Sequence, residues 1–269
     1  IEFTKPEKAC GAIRIVKFGN ITIDNCTFIK TKAVNDDTGS IYYNHESQTQ
    51  TSNFVTINNC NFKSCIGYAC YFNVKELSAE EINIQYSKFY SNEAAIYIKN
   101  NKIINIINCS FVENQNDKNS NVVDIDAQMQ DATININDCE FKGNNKSATI
   151  HILTEGNFVL TNNFITNEKQ FLYASISNSP TISNNNFYEI DKLDFLIKID
   201  FLIKIDNEAN EIEISNSKFE EIHTSGDCKS NGAIPIQLSA NNQEFQFSFD
   251  NCSFLKVSDE RENKNGVLY

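Results

Sequence analysis

Tryptophan is absent from this 269-residue chain, and glycine (nine), proline (three) and arginine (two) are scarce. With so little Gly and Pro, tight turns fall to another residue, and the abundant Asn qualifies because it tolerates the left-handed backbone conformation. Positive charge is also short: Lys and Arg number 23 against 35 Asp and Glu, leaving a net charge of −12. Such a chain has no electrostatic footprint for nucleic acid or for an anionic membrane surface. No apolar run approaches the roughly 20 residues of a membrane helix, so membrane insertion by this segment is not expected. The nine Cys never fall in a Cys-x-x-Cys or Cys/His spacing that would hold zinc. No metal and no cofactor are implied. A hydrophobic content of 41% still supports a sizeable core.

What the chain does have is a phrase repeated nine times: apolar, any, apolar, any, Asn or Asp, Cys or Ser, any, Phe. It reads Ile21-Thr-Ile-Asp-Asn-Cys-Thr-Phe28, Val55-Thr-Ile-Asn-Asn-Cys-Asn-Phe62 and Ile104-Asn-Ile-Ile-Asn-Cys-Ser-Phe111. It returns at Ile134 to Phe141, Ile212 to Phe219 and Phe247 to Phe254, with weaker copies ending at Phe89, Phe164 and Phe187. Between copies lies a second strand-like phrase, as in Gly11-Ala-Ile-Arg-Ile, Gly39-Ser-Ile-Tyr-Tyr, Ala94-Ala-Ile-Tyr-Ile and Ala148-Thr-Ile-His-Ile. Apolar residues alternate with period two in both phrases, the mark of strands with one buried face.

Successive Phe positions lie 22 to 35 residues apart. A propeller blade or an ankyrin unit holds its length more strictly. Constant strands with variable loops suit a parallel β-helix, in which one coil cannot bury its own apolar face and must stack on the next. The expected fold is all-β: a single-stranded right-handed parallel β-helix of about nine coils, one domain over 1–269. At roughly 4.8 Å per coil the rod is on the order of 45 Å long. Stacking predicts an amide ladder from Asn25, Asn59, Asn108, Asp138, Asn184, Asn216 and Asn251, bonding coil to coil. It also predicts an internal column of Phe rings, worth about 0.5–1.5 kcal/mol per neighbouring pair beyond burial.

Cys26, Cys60, Cys109, Cys139 and Cys252 share one repeat slot, which Ser87 and Ser217 also occupy, so the slot asks for a small buried side chain. In-register parallel strands hold Cβ atoms about 4.8 Å apart, wider than the roughly 3.8 Å of a disulfide, and free buried thiols are expected there. For Cys65 and Cys70 a bridge across a turn stays open. Cys10 and Cys228 lie outside the slot. Glycosylation sequons at Asn25, Asn108 and Asn251 fall on the Asn column; only Asn20 and Asn145 are plausible acceptors, and only in a secreted chain. Residues 194–206 duplicate a six-residue strand and form the most aggregation-prone segment. The opening Ile1-Glu-Phe lacks an initiator Met and a signal pattern, and Gly266-Val-Leu-Tyr269 reads as the start of another coil. A fragment of a longer chain, continued end to end by further coils, is expected.

Gly-Ala-Ile strands alternating with Phe-x-x-Asn (Phe89 to Asn92, Phe111 to Asn114, Phe141 to Asn144, Phe164 to Asn167) resemble the polymorphic outer-membrane-protein repeat of surface adhesins. More broadly the chain is similar to the pectin-lyase-like right-handed β-helix superfamily. The resemblance runs from about residue 11 to the end and implies a displayed adhesive or scaffolding rod, facing a host or matrix protein or a glycan surface. It departs from the repeat in having one Gly or none where that repeat has two.

Many β-helix proteins cleave polysaccharides, which needs converging carboxylates, or a basic residue beside acidic calcium ligands. Here the two Arg, Arg14 and Arg261, sit near the ends, Asp36-Asp37 is a lone pair, and His45 and His223 have no evident partner. Aligning the Gly-Ala-Ile strands puts one outward residue per coil in a column: Arg14, Tyr42, Cys70, Tyr97, Asp124, His151, Tyr173, Lys198 and Pro235. Asp124 and His151 are then vertical neighbours, with Asp126 beside them, and form the catalytic candidate as an acid/base pair. Tyr42, Tyr97, Tyr173 and Lys198 are the ligand-binding candidates, the rings acting as platforms for sugars. The leading expectation is a non-enzymatic surface or secreted rod, touching partners also through loops 30–38, 44–53 and 223–231. A carbohydrate-active enzyme or inactive relative, and a cytoplasmic assembly module favoured by free thiols, are the alternatives.

Overall fold

The computed structural model describes residues 11–15, 19–32, 39–45, 53–114, 121–144, 148–191, 195–201, 210–224, 234, 236–240 and 245–259. Cys10, Asp36, Asp37, Asn145, Cys228, Pro235, Arg261, most of the second copy of the duplicated strand, most of the three loops named above and the final ten residues lie outside them. Among the described residues every regular element is a strand and the strand pairings are parallel, so none is a helix long and apolar enough to cross a membrane.

Each repeat contributes to three ladders. The first contains Ile13–Ile15, Gly39–His45, Val123–Ala127, Ile150–Thr154, Gln170–Ile176, Phe195–Phe201 and Ile236–Ala240. The second contains Ile21–Asp24, Phe54–Asn58, Thr133–Asn137, Asn157–Thr161, Thr181–Ser183, Asn210–Ser215 and Phe245–Asp250. Tyr68–Gln85 and Ala94–Ile107 run unbroken from the first ladder into the second, fusing the two into one sixteen-stranded sheet. The third ladder is a separate nine-stranded sheet that starts with Thr27–Ile29 and ends with Ser253–Asp259. In-register parallel stacking of this kind is consistent with a β-solenoid.

The period-two alternation does what it promises. In Thr133–Asn137, Ile134 and Ile136 are buried and the intervening Asn135 is not. Among the described residues, the second and third ladders meet at a turn whose first residue has positive φ before each of the nine third-ladder strands: Asn25, Asn59, Tyr86, Asn108, Asp138, Asn162, Asn184, Asn216 and Asn251, between 48° and 58°. Asn is there for its backbone, since its short polar side chain lowers the cost of the left-handed region. The expected amide ladder is correspondingly partial: Asn59 donates to Asn25, and Asn251 Nδ2 donates to Asn216 Oδ1 at 2.7 Å, at a partly or fully exposed edge.

The continuous amide ladders are elsewhere, and buried. Asn92 Nδ2 donates to Asn114 Oδ1 (2.9 Å), Asn114 Nδ2 to Asn144 Oδ1 (3.1 Å) and Asn144 Nδ2 to Glu168 Oε1 (2.8 Å). Each of the three Asn residues also donates to a Phe carbonyl of the preceding coil, at 2.8–3.1 Å. A second run uses the Cys slot, where Asn163 Nδ2 donates to Asn185 Oδ1 (3.0 Å) and the Asn185 main chain donates to Ser217 Oγ (3.2 Å). The slot therefore asks for a small hydrogen-bond donor: Cys109 and Cys139 thiols reach Ile84 and Ile106 carbonyls, as the Asn163 and Asn185 amides reach those of Ile136 and Leu160. Buried polar groups satisfied in this way add specificity at no desolvation deficit.

The Phe column stacks as expected through Phe28, Phe62, Phe89, Phe111 and Phe141, with neighbouring centroids 4.7–5.0 Å apart and planes within 4° of parallel. It breaks at the copy assigned to Phe164. There the register pairs Phe141 with Ile165 and Ile165 with Phe187. Phe164 is 38% exposed, and Asn167 likewise faces out while Glu168 takes the buried slot. The column resumes with Phe187, Phe219 and Phe254. The seven described cysteines, Cys65 and Cys70 included, are free.

Candidate functional site

The outer face of the first ladder is where the sequence places its candidates. Main-chain register stacks Arg14, Tyr42, Tyr71, Tyr97, Asp124, His151, Tyr173, Lys198 and Gln237 in one column, one residue per strand. Two members differ from the sequence alignment. Gly39 pairs with Tyr68, not Gly67, which turns Cys70 inward, fully buried, and puts Tyr71 in its place. At the far end Gln237 holds the position assigned to Pro235. Gly67, with φ at +80° and its N–H donating to Glu93 Oε2 at 2.7 Å, belongs to the preceding turn.

Two halves make up the face. In the first, four tyrosines cluster on the outer face of the first ladder: Tyr42, Tyr68, Tyr71 and Tyr97 around Ala94. Tyr71 lies between Tyr42 (5.6 Å, 11°) and Tyr97 (4.6 Å, 14°), and only 4% of it is exposed. Tyr68 tilts against Tyr71 and Tyr97, and the Arg14 guanidinium sits over Tyr42, 5.8 Å from its centre. Sequence reading missed Tyr68 and Tyr71; aligning the tyrosines instead of the glycines would have found them.

The second half is ionic. His151 Nδ1 lies 2.7 Å from Asp124 Oδ1, with side chains 27% and 20% exposed. Asn121 Nδ2 donates to the other Asp124 oxygen at 3.3 Å. A carboxylate on Nδ1 holds the proton there and leaves Nε2 as the nitrogen for proton transfer. Asp126 is engaged by Gln128 (2.9 Å) and by Lys99 (3.7 Å). Tyr173 has His151 on one side (5.2 Å, 47°) and the Lys198 ammonium 4.4 Å from its ring centre. Its hydroxyl donates to Asp200 Oδ2 at 2.8 Å, while Ser239 holds the other oxygen of that carboxylate at 2.6 Å.

The structure thus brings the predicted residues together, but the tyrosines stand edge-out. Vertical stacking at the coil spacing uses ring faces on one another, on guanidinium, on imidazole and on ammonium. What the column leaves outward is ring edges and paired charges, the Tyr173 hydroxyl being taken by Asp200. That differs from the ring platforms expected from the sequence, which need a free π face. Asp124–His151 has the geometry of an oriented base, while Asp126 is occupied by its own partners.

Two shallow concavities among the described residues lie off this face: one of about 360 Å³ beside Cys65, Asn92, Glu93 and Glu113, another of about 240 Å³ beside Ser179, Glu211 and Glu213. Among the described residues no group of three or more His, Cys, Asp and Glu is placed to hold a metal ion. His223 Nδ1 lies 2.8 Å from Ser258 Oγ, a single contact away from the column. Compared with known proteins, the chain matches no family model, no curated protein and no solved structure.

Proposed function

We propose that the chain is a right-handed, single-stranded β-helix of about nine coils, pectin-lyase-like in architecture, serving as a non-enzymatic surface or secreted rod. Its contact face is the tyrosine column with Lys198, and its partner is a host or matrix protein. The observation that supports this reading is the in-register stack of Tyr42, Tyr71 and Tyr97 on the outside of the solenoid. A core needs no external aromatic cluster, and tyrosines held rigid before binding lose little side-chain entropy on contact. With ring faces already taken, a protein surface that meets ring edges and charged side chains fits better than a stacked sugar.

Binding of the chain to matrix proteins and to a glycan array, with and without Tyr42→Ser, Tyr97→Ser and Tyr173→Ser together, tests it. The expected result is protein binding that weakens at least about tenfold in the triple variant. Binding confined to glycans, or unchanged in the variant, would overturn it.

A second reading, a carbohydrate-active enzyme, rests on the 2.7 Å Asp124–His151 contact. Polysaccharide cleavage that disappears in both Asp124→Asn and His151→Gln would establish it; cleavage that survives both removes this site from contention. A third reading, a cytoplasmic assembly module, draws on the seven free thiols. Glycan occupancy at Asn20 would exclude it.

A further inference from the structure

The ladder Asn92–Asn114–Asn144 ends on a carboxyl, not an amide. Glu168 is fully buried. Its Oε1 accepts from the Asn144 main-chain N–H (3.0 Å) and from Asn144 Nδ2 (2.8 Å), and its Oε2 meets the Thr149 hydroxyl. Thr149 Oγ1 has a further acceptor in the Asn144 carbonyl at 3.4 Å.

This position marks a change in the rod. Up to Glu168, the third-ladder strands stop one residue after the core position, at Lys63, Tyr90, Val112, Lys142 and Thr166. In the next coils the strands run on, as Asn186–Asp191, Lys218–Thr224 and Ser253–Asp259, and Ile190, Ile222 and Val257 occupy the slot three residues past the core Phe. Glu168 is the last polar member of the ladder, with no amide above it.

We infer that Glu168 is a proton-operated joint: the neutral acid closes the corner between its coil and the preceding one, and loss of the proton loosens the rod there. The neutral acid places every hydrogen. Thr149 donates to the carboxylate; on protonation that bond reverses, Oε2–H donating to Thr149 Oγ1 while the hydroxyl turns its own hydrogen to the Asn144 carbonyl, and Oε1 keeps both Asn144 bonds. A carboxylate would retain the acceptors but add an unpaired buried charge. Charged or titratable side chains on the surrounding described elements include Glu140 and Lys142 on the coil before, His151 on the strand beside Thr149, Lys169 on its own turn, Tyr173 on the strand that follows it, and Tyr188 and Glu189 on the coil after. All are partly or fully exposed, and none compensates the carboxyl. Burial, opposed by the bonds from Thr149 and Asn144, pushes Glu168 up to about 8 from an ordinary value of 4.5. The folded state therefore binds this proton more tightly than the unfolded chain. The stabilisation is complete below the lower value and is lost as pH rises through the upper one.

Thermal unfolding of the chain and of Glu168→Gln, from about pH 4.5 to about pH 8, tests this. Gln keeps both Asn144 bonds and donates to Thr149. The wild-type melting temperature should fall over the interval by more than that of the variant, with the curves meeting at the acid end. Parallel curves would overturn the joint. Should the variant not fold, infrared spectroscopy of the unaltered protein decides. A protonated-carboxyl carbonyl band at neutral pH that vanishes in alkali supports the inference, and its absence at neutral pH overturns it.

Discussion

The ring of Phe171 meets that of Phe141 edge-on, centroids 5.4 Å apart at 70°, although the two residues belong to different ladders. Phe171 also stands edge-on to Phe187 at 5.8 Å. It fills the volume that Ile165 leaves in a column otherwise made of Phe, so the gap in the stack is closed from the first ladder.

Phe171→Ala should then cost about 3–5 kcal/mol, because it empties a fully buried position with no neighbour free to collapse. Adding Ile165→Phe should recover part of that loss, whereas Ile165→Phe alone should destabilise by overpacking. Denaturant unfolding of the two single variants and the double variant measures the coupling; additive effects would show that the two sites do not share a volume.

Tyr86 adopts φ of 51° at the turn where the other eight described copies carry Asn or Asp, and is 57% exposed. A bulky residue is strained in the left-handed region by roughly 1–2 kcal/mol. Tyr86→Asn should raise stability by about 1 kcal/mol, read as a higher denaturant midpoint at unchanged slope, and Asn59→Val should lower it by a similar amount.

Asn114 has both side-chain ends engaged at zero exposure, donating to Phe89 and Asn144 and accepting from Asn92. Asn114→Leu leaves buried partners unpaired above and below, at about 1–3 kcal/mol for each group stranded. Loss of more than about 3 kcal/mol is expected, with amide exchange of Asn92 accelerated ahead of the distal coils.

Burial pushes the Cys60 thiol up to about 11 and raises Cys70 and Cys139 well above 9.0. A thiol raised in the folded state stabilises most below its unfolded value and ceases to do so as pH climbs through the folded one. Stability should therefore drop between about pH 9 and about pH 11. Alkylation mapped by mass spectrometry should leave these three unmodified in native protein near neutral pH and modify all of them in denaturant.

The Asp124–His151 pair is partly solvated, and a partly solvated polar pair of that kind contributes about 1 kcal/mol or less. Asp124→Asn should leave the melting curve within that margin. Any larger loss of binding or cleavage in this variant then reports on the face itself and not on the fold.

Much of this protein is written locally. Alternating Ile residues, an Asn at seven of the nine turns between the second and third ladders and a Phe three positions after nearly all of them specify parallel strands and a repeating core, because each cue acts within one coil. The vertical neighbours Asp124 and His151 were legible for the same reason: where the repeat keeps its length, counting gives the register. Where one residue slips, counting fails. Tyr71 displaced Cys70 and Ile165 displaced Phe164 because the face a strand residue takes inverts with a single step, and packing against the coils above and below chooses the step. Tertiary structure alone decided which amides are buried, that Glu168 succeeds Asn144 in their ladder, and that the tyrosines spend their faces on one another. Each of these depends on what stands one coil away, some 22 to 35 residues distant in the chain.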